Sequence, residues 1–154
     1  MKKLFVFVLL SIVLLSCEKN IFFQETQKIQ GEKWTTNQPC TFKVGVSDIN
    51  RSYDFYINTR NTTDYKYSNI FLFLKTSFPG GTSSVDTLEV NLAQPDGKWL
   101  GTGFGRLKYL RVPIKTAVRF RRPGTYKFSF QQAMRGDIEG IADFGLRIEN
   151  NPSK

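Results

Sequence analysis

Between Tyr53 and Leu74 the chain reads Tyr-Asp-Phe-Tyr-Ile-Asn-Thr-Arg-Asn-Thr-Thr-Asp-Tyr-Lys-Tyr-Ser-Asn-Ile-Phe-Leu-Phe-Leu. Both ends are crowded with β-branched and aromatic residues, while Arg60 to Asn69 holds nearly all the turn-forming types. The segment therefore reads as a β-hairpin. Its first limb alternates, with Tyr53, Phe55 and Ile57 on one face and Asp54, Tyr56 and Asn58 on the other. The second, Ile70 to Leu74, is apolar at every position, which predicts a strand covered on both faces.

The same grammar recurs downstream. Strands are expected near 41–46, 52–60, 68–77, 85–92, 107–120 with a break at Pro113, 125–133 and 141–149. Pro79-Gly80-Gly81, Pro95-Asp96-Gly97, Pro123-Gly124 and Arg135-Gly136-Asp137 punctuate them, and no window has helical periodicity. Evenly spaced short strands predict an all-β fold, a single antiparallel β-sandwich over 34–150 with a short tail at 151–154. Immunoglobulin-like and jelly-roll-like strand orders both fit. The run Pro123-Gly124-Thr125-Tyr126 matches the approach to a strand in which a tyrosine hydroxyl pins a corner of the sandwich.

Ahead of the domain lies an address. Lys2 and Lys3 precede a run of 12 residues from Leu4 to Leu15, too short for the roughly 20 apolar residues of a membrane-spanning helix. Leu14-Leu15-Ser16-Cys17 resembles the bacterial lipobox, which makes 1–16 a lipoprotein signal peptide and Cys17 the lipidated amino terminus. Residues 17–33 then form a mostly polar tether, interrupted by Ile21, Phe22 and Phe23, which suit an edge strand. With Cys17 lipidated, Cys40 has no disulfide partner, and it reads as a small buried hydrophobe.

Removal of Lys2 and Lys3 takes 22 basic residues to 20 against 13 acidic ones, a net charge of +7. The basic residues are scattered apart from Arg119, Arg121 and Arg122, a pattern that suits a solvated turn or an anion- or partner-binding patch and gives no nucleic-acid signature.

The chain contains no histidine, so a hydrolytic triad of the usual kind is excluded. The acids are isolated and turn-bound, no calcium loop is present, and Gly97 to Gly105 lacks the ending of a phosphate-binding loop; its glycines, alternating with Trp99 and Phe104, suit a bulged strand pair whose bare backbone lets a large ring lie across it. Neither an enzyme, a cofactor, a metal nor a small-molecule substrate is expected. Tyr65, Tyr67 and Trp99 offer aromatic rings for sugars, which supports a glycan-binding alternative. Asp86-Thr87-Leu88 looks like the O-glycosylation signal of exported Bacteroidota proteins, with Thr87 as acceptor; Asn61-Thr62-Thr63 is an N-glycosylation sequon that reads as chance.

Taken in order, the lipobox, Ile57-Asn58-Thr59-Arg60-Asn61-Thr62, Asp64-Tyr65-Lys66-Tyr67-Ser68-Asn69, Asp86-Thr87-Leu88, Gly97-Lys98-Trp99-Leu100-Gly101, and Gln132-Ala133-Met134-Arg135 through Gly145-Leu146-Arg147-Ile148 resemble the gliding-motility lipoprotein H (GldH) family of the Bacteroidota. The resemblance implies a non-enzymatic, lipid-anchored component or assembly factor of the gliding machinery and its associated type IX secretion system. Arg60, Asp64, Tyr65, Tyr67 and Asn69 are the expected contacts with other envelope proteins. Glu18 and Lys19 do not form the acidic run of surface-exported lipoproteins, so the periplasmic face of the outer membrane is the expected location.

Overall fold

The computed structural model describes residues 20–152. Ten strands and one short 3₁₀ turn account for its regular structure: β1 (Ile21–Lys28), β2 (Lys33–Trp34), β3 (Cys40–Val46), β4 (Ser52–Thr62), β5 (Asn69–Ser77), β6 (Ser83–Asn91), β7 (Leu107–Val118), β8 (Gly124–Gln132), β9 (Ile138–Glu139) and β10 (Ile141–Asn151). Two four-stranded antiparallel sheets, β1-β10-β4-β7 and β3-β8-β5-β6, face each other, and β2 pairs with β9 beside them. The first long strand lies beside the last, and each sheet interleaves early with late strands. This is the order of a jelly roll, a double Greek key.

The segment from Tyr53 to Leu74 is not a hairpin. β4 and β5 belong to different sheets, and the turn between them arches from one layer to the other. Tyr53, Phe55 and Ile57 look inward from one sheet, and Ile70, Leu72 and Leu74 from the other. β5 does sit between two neighbours, but a two-layer sandwich covers only one face of each sheet. Phe71 and Phe73 are consequently exposed, at 37% and 45%. Nor does Pro113 break its strand. β7 runs through it as an edge strand, and its pairing with β4 shifts register there, between Phe55↔Lys115 and Tyr56↔Pro113.

Inward-facing rings fill the centre: Phe42, Phe130 and Phe144 pack with centroids 5.1–6.5 Å apart, and Trp34 lies 5.0 Å from Phe144. Cys40 is buried in the same cluster, and burial pushes its thiol up to about 12. The Tyr126 hydroxyl donates to Arg122 O at 2.9 Å and accepts from Arg122 N at 3.3 Å. It thus pins the corner at which the chain passes from β7 to β8.

Register sorts the loops between two ends. At one end lie the start of β1, the end of β10 and the connections 47–51, 78–82 and 119–123; at the other lie 29–39, 63–68, 92–106 and 133–140. The 11 residues of β4 connect the two ends, a span of roughly 33 Å at about 3.3 Å per residue. The stretch read as a tether contains strand β1, paired with β10 from Ile21↔Glu149 to Lys28↔Asp143. The end at which β1 begins is therefore where the domain joins its amino-terminal segment, and the other end is distal to it.

Candidate functional site

The distal end is a rim of four loops stitched together by backbone hydrogen bonds. Thr63 N donates to Arg106 O at 2.7 Å, Leu92 N to Ser68 O at 2.7 Å, and Thr62 N to Gly140 O at 2.8 Å, while Gly140 N donates to Glu32 O at 2.8 Å. Arg106 adds a side-chain clasp, with Nη1 and Nη2 each 2.7 Å from a Glu32 carboxylate oxygen and Asp64 Oδ2 3.9 Å away. The hydrogen bonds from Arg106 hold the Glu32 carboxyl below its ordinary value, against a smaller desolvation effect.

One residue stands out from this rim. Phe104, at the tip of Gly101-Thr102-Gly103-Phe104-Gly105, is wholly exposed. The loop beneath it is tightly built: Thr102 exchanges both backbone hydrogen bonds with Tyr109 at 2.9 and 2.7 Å, and Lys108 Nζ donates to Gly103 O at 2.9 Å. A Cβ at Gly103, whose φ is +140°, would lie 2.6 Å from Leu107 O. The glycines thus permit close backbone approach and fold the tip back on β7, leaving Phe104 with nothing to pack on. Leu100 on the same connection and Tyr67 on the 63–68 loop, 42% and 45% exposed, add apolar surface. Phe104, Leu100 and Tyr67 together give the rim an exposed apolar patch of the kind that serves contact surfaces.

The residues singled out in the sequence scatter across this geometry. Asp64 and Tyr67 lie on the rim and are exposed. Tyr65 is buried, its hydroxyl donating to Asn69 O at 3.0 Å, and desolvation pushes that hydroxyl upward. It braces the turn from inside and presents no ring to a partner. Asn69 is half-buried and donates its amide to Glu89 at 2.6 Å. Arg60 lies on the outer face of its sheet, paired with the buried carboxylate of Asp143 on β10. Tyr65, Tyr67 and Trp99 make no flat platform: the two tyrosines meet edge-on at 69°, and Trp99 is half-buried against the core. Thr87 is exposed on the outer face of β6 opposite Phe73, whereas Asn61 of the sequon is fully buried. Cys17 lies outside the described residues.

Three features escaped the sequence reading. One is Phe104, which looked like packing for a bulged strand pair. Another is a polar strip across the outer face of the β1-β10-β4-β7 sheet. There Asn58 Oδ1 accepts from Tyr109 Oη at 3.1 Å and Arg111 Nε at 3.2 Å, and Arg147 Nη1 donates to Gln24 Oε1 at 2.6 Å. The third is a cavity between the sheets at the opposite end of the molecule, lined in part by Arg119, Arg121 and Arg122. Among the described residues no group of three or more His, Cys, Asp or Glu side chains is placed to hold a metal ion.

Residues 21–148 match the model of the GldH lipoprotein family. The gliding motility lipoprotein GldH homolog of Christiangramia forsetii is 40% identical over 155 residues, covering 96% of this chain and 94% of its own. The gliding motility lipoprotein GldH of Flavobacterium johnsoniae is 35% identical over 152 residues, covering 94% of each. Among solved structures, TmCBM61 in complex with β-1,4-galactotriose overlaps 84% of this chain and 82% of its own at 12% identity, with a TM-score of 0.28.

Proposed function

The chain belongs to the GldH lipoprotein family, and from that premise we propose that it is a non-enzymatic envelope protein, lipid-anchored at Cys17, that serves gliding motility and the associated type IX secretion machinery as a component or assembly factor. Its partner-binding surface is the distal rim. The observation that carries this reading is the wholly exposed Phe104 on a braced loop, at the end of the sandwich away from the start of β1. An anchor at one end and a contact at the other let the domain hold a partner roughly 30 Å from the bilayer.

The periplasmic face of the outer membrane is the proposed location, because Glu18-Lys19 offers no acidic export run. The absence of histidine from the chain supports a binding role over a hydrolytic one.

Co-purification of envelope proteins with the tagged lipoprotein tests the rim. Phe104→Ala combined with Tyr67→Ala is expected to lower partner recovery at least tenfold, about 1.4 kcal/mol of binding, while thermal stability is unchanged. Full recovery with the double variant would refute the rim as the contact. Anchoring is read separately, by loss of labelled palmitate from Cys17→Ala protein, and the face of the membrane by protease accessibility on whole cells.

A further inference from the structure

The end of the sandwich opposite the rim is open. Along β6 the inward positions run Val90, Leu88, Asp86, Ser84, and Thr76 pairs with Ser84 on the inward face of β5. Large side chains thus give way to small polar ones towards this end, and the two sheets part between edge strands β6 and β7. The result is a cavity of about 590 Å³, within the roughly 300–1,000 Å³ of small-molecule sites. Phe55, Leu74, Val118, Phe128 and Phe130 supply apolar wall, and Lys115 crosses the edge to Asp86 at 2.8 Å.

The lip of this cavity is cationic. Arg119, Arg121 and Arg122 all line it from the corner between β7 and β8, and none is ion-paired with a carboxylate among the described residues. The carboxylates nearby are engaged elsewhere: Asp86 by Lys115, Asp48 by Arg51 at 2.9 Å, and Asp54 by Ala117 N at 2.8 Å. An apolar slot under an unneutralised arginine cluster matches an amphiphile with a long hydrocarbon chain and an anionic head.

The position of the slot says which amphiphile it meets. Phe22 of β1 packs 4.6 Å from Tyr53, Tyr53 packs 5.2 Å from Phe120, and Phe120 lines the cavity, so the slot lies two rings from the entry of β1. Only two residues, Glu18 and Lys19, separate Asn20 from Cys17, so the three steps of chain between them reach at most roughly 11 Å. We propose that this cavity takes one acyl chain of an anionic phospholipid from the anchoring bilayer, with the lipid phosphate held by Arg119, Arg121 and Arg122. The inference rests on Cys17 as the anchor. It gives the domain a second hold on the membrane and sets the sandwich upright, with its rim pointing away.

The mature lipoprotein, reconstituted in nanodiscs containing phosphatidylglycerol with a diazirine near the chain terminus, tests it by photocrosslinking and peptide mapping. Crosslinks are expected on peptides carrying Phe55 or Val118. They should fall at least fivefold in the triple variant Arg119→Gln, Arg121→Gln, Arg122→Gln, which removes the head contact. A similar fall is expected in Ser84→Phe, which fills the slot from an exposed edge position, and when the probe is zwitterionic phosphatidylcholine. Equal labelling of all four samples, or labelling confined to other peptides, overturns the proposal, as does a slot that labels only after the protein's own acyl chains are removed. Thermal unfolding of each variant shows whether its fold is retained. Palmitate labelling of Cys17→Ala protein reports the anchor independently, so a failed anchor and an empty slot give different results.

Discussion

Gly145 is the position at which the smallest chemical change should have the largest mechanical effect. It lies on β10 between Asn58 of β4 and Thr26 of β1. A methyl group there would sit 2.7 Å from Thr26 Oγ1 and 2.8 Å from Glu25 O. The second atom is backbone and cannot rotate away, so β1 must retreat by roughly 0.6–1 Å to reach ordinary contact distance. Overpacking of this kind costs about 1–3 kcal/mol, or about 3–12 °C in Tm for a domain of this size. Because β1 is an edge strand held on one side only, the strain is best relieved by loosening its pairing with β10. Gly145→Ala is therefore expected to accelerate amide hydrogen exchange at least tenfold over residues 24–28, with β3 and β8 unchanged. Gly45→Ala is the control, since a Cβ there meets nothing within 4 Å, and its effect should stay within about 0.5 kcal/mol. If Gly145→Ala leaves both Tm and β1 protection at wild-type values, the close packing of β1 on β10 is not as described.

Tyr126→Phe removes a hydroxyl that both donates to and accepts from Arg122 backbone atoms; a loss of about 1–2 kcal/mol is expected in urea unfolding. Arg60→Ala leaves the buried Asp143 carboxylate without its cation and should cost about 1–3 kcal/mol, with the half-exposed arginine keeping the figure modest; any binding defect at Arg60 must be compared with that of an equally destabilised variant. Cys40 should resist maleimide at pH 8 in the folded protein and react on unfolding. Its thiol is raised from 9.0 to about 12 by burial, so the folded state keeps its proton where the unfolded chain loses it. The stability linked to Cys40 is thus complete below about pH 9 and declines as pH climbs towards 12, an onset that Cys40→Ala should weaken.

Patterns with short range were the legible ones. Phe42, Val44 and Val46 alternate and are buried, and the corner tyrosine was visible because its partner lies four residues away. The arch was misread as a hairpin for a physical reason: local composition reports strands and turns, but it does not distinguish a turn within a sheet from one that crosses the core. Phe71 and Phe73 misled for a related reason, since an apolar residue on the solvent face of a two-layer sandwich has the same composition as a doubly covered one. Pairing of β1 with β10 joins residues more than 100 positions apart, as in Gln24↔Arg147, and no local signal carries it. The rim and the lipid slot depend on that same long-range order. Asp64 and Tyr67 flank a turn and are exposed on the rim, whereas the glycines around Phe104 read in the sequence as those of a bulged strand pair with large rings lying across it.

The placement of β1 also decides how the domain bears load. A pull between the membrane and the distal rim runs along β1 towards its amino terminus, parallel to the strand and perpendicular to the hydrogen bonds that join it to β10. Such a pull is shear, in which all the rungs from Ile21 to Lys28 resist together, instead of a peel in which they fail one at a time. A strand that would be a weak edge under a sideways force becomes, in this orientation, the splice through which tension on the anchor reaches the body of the sandwich.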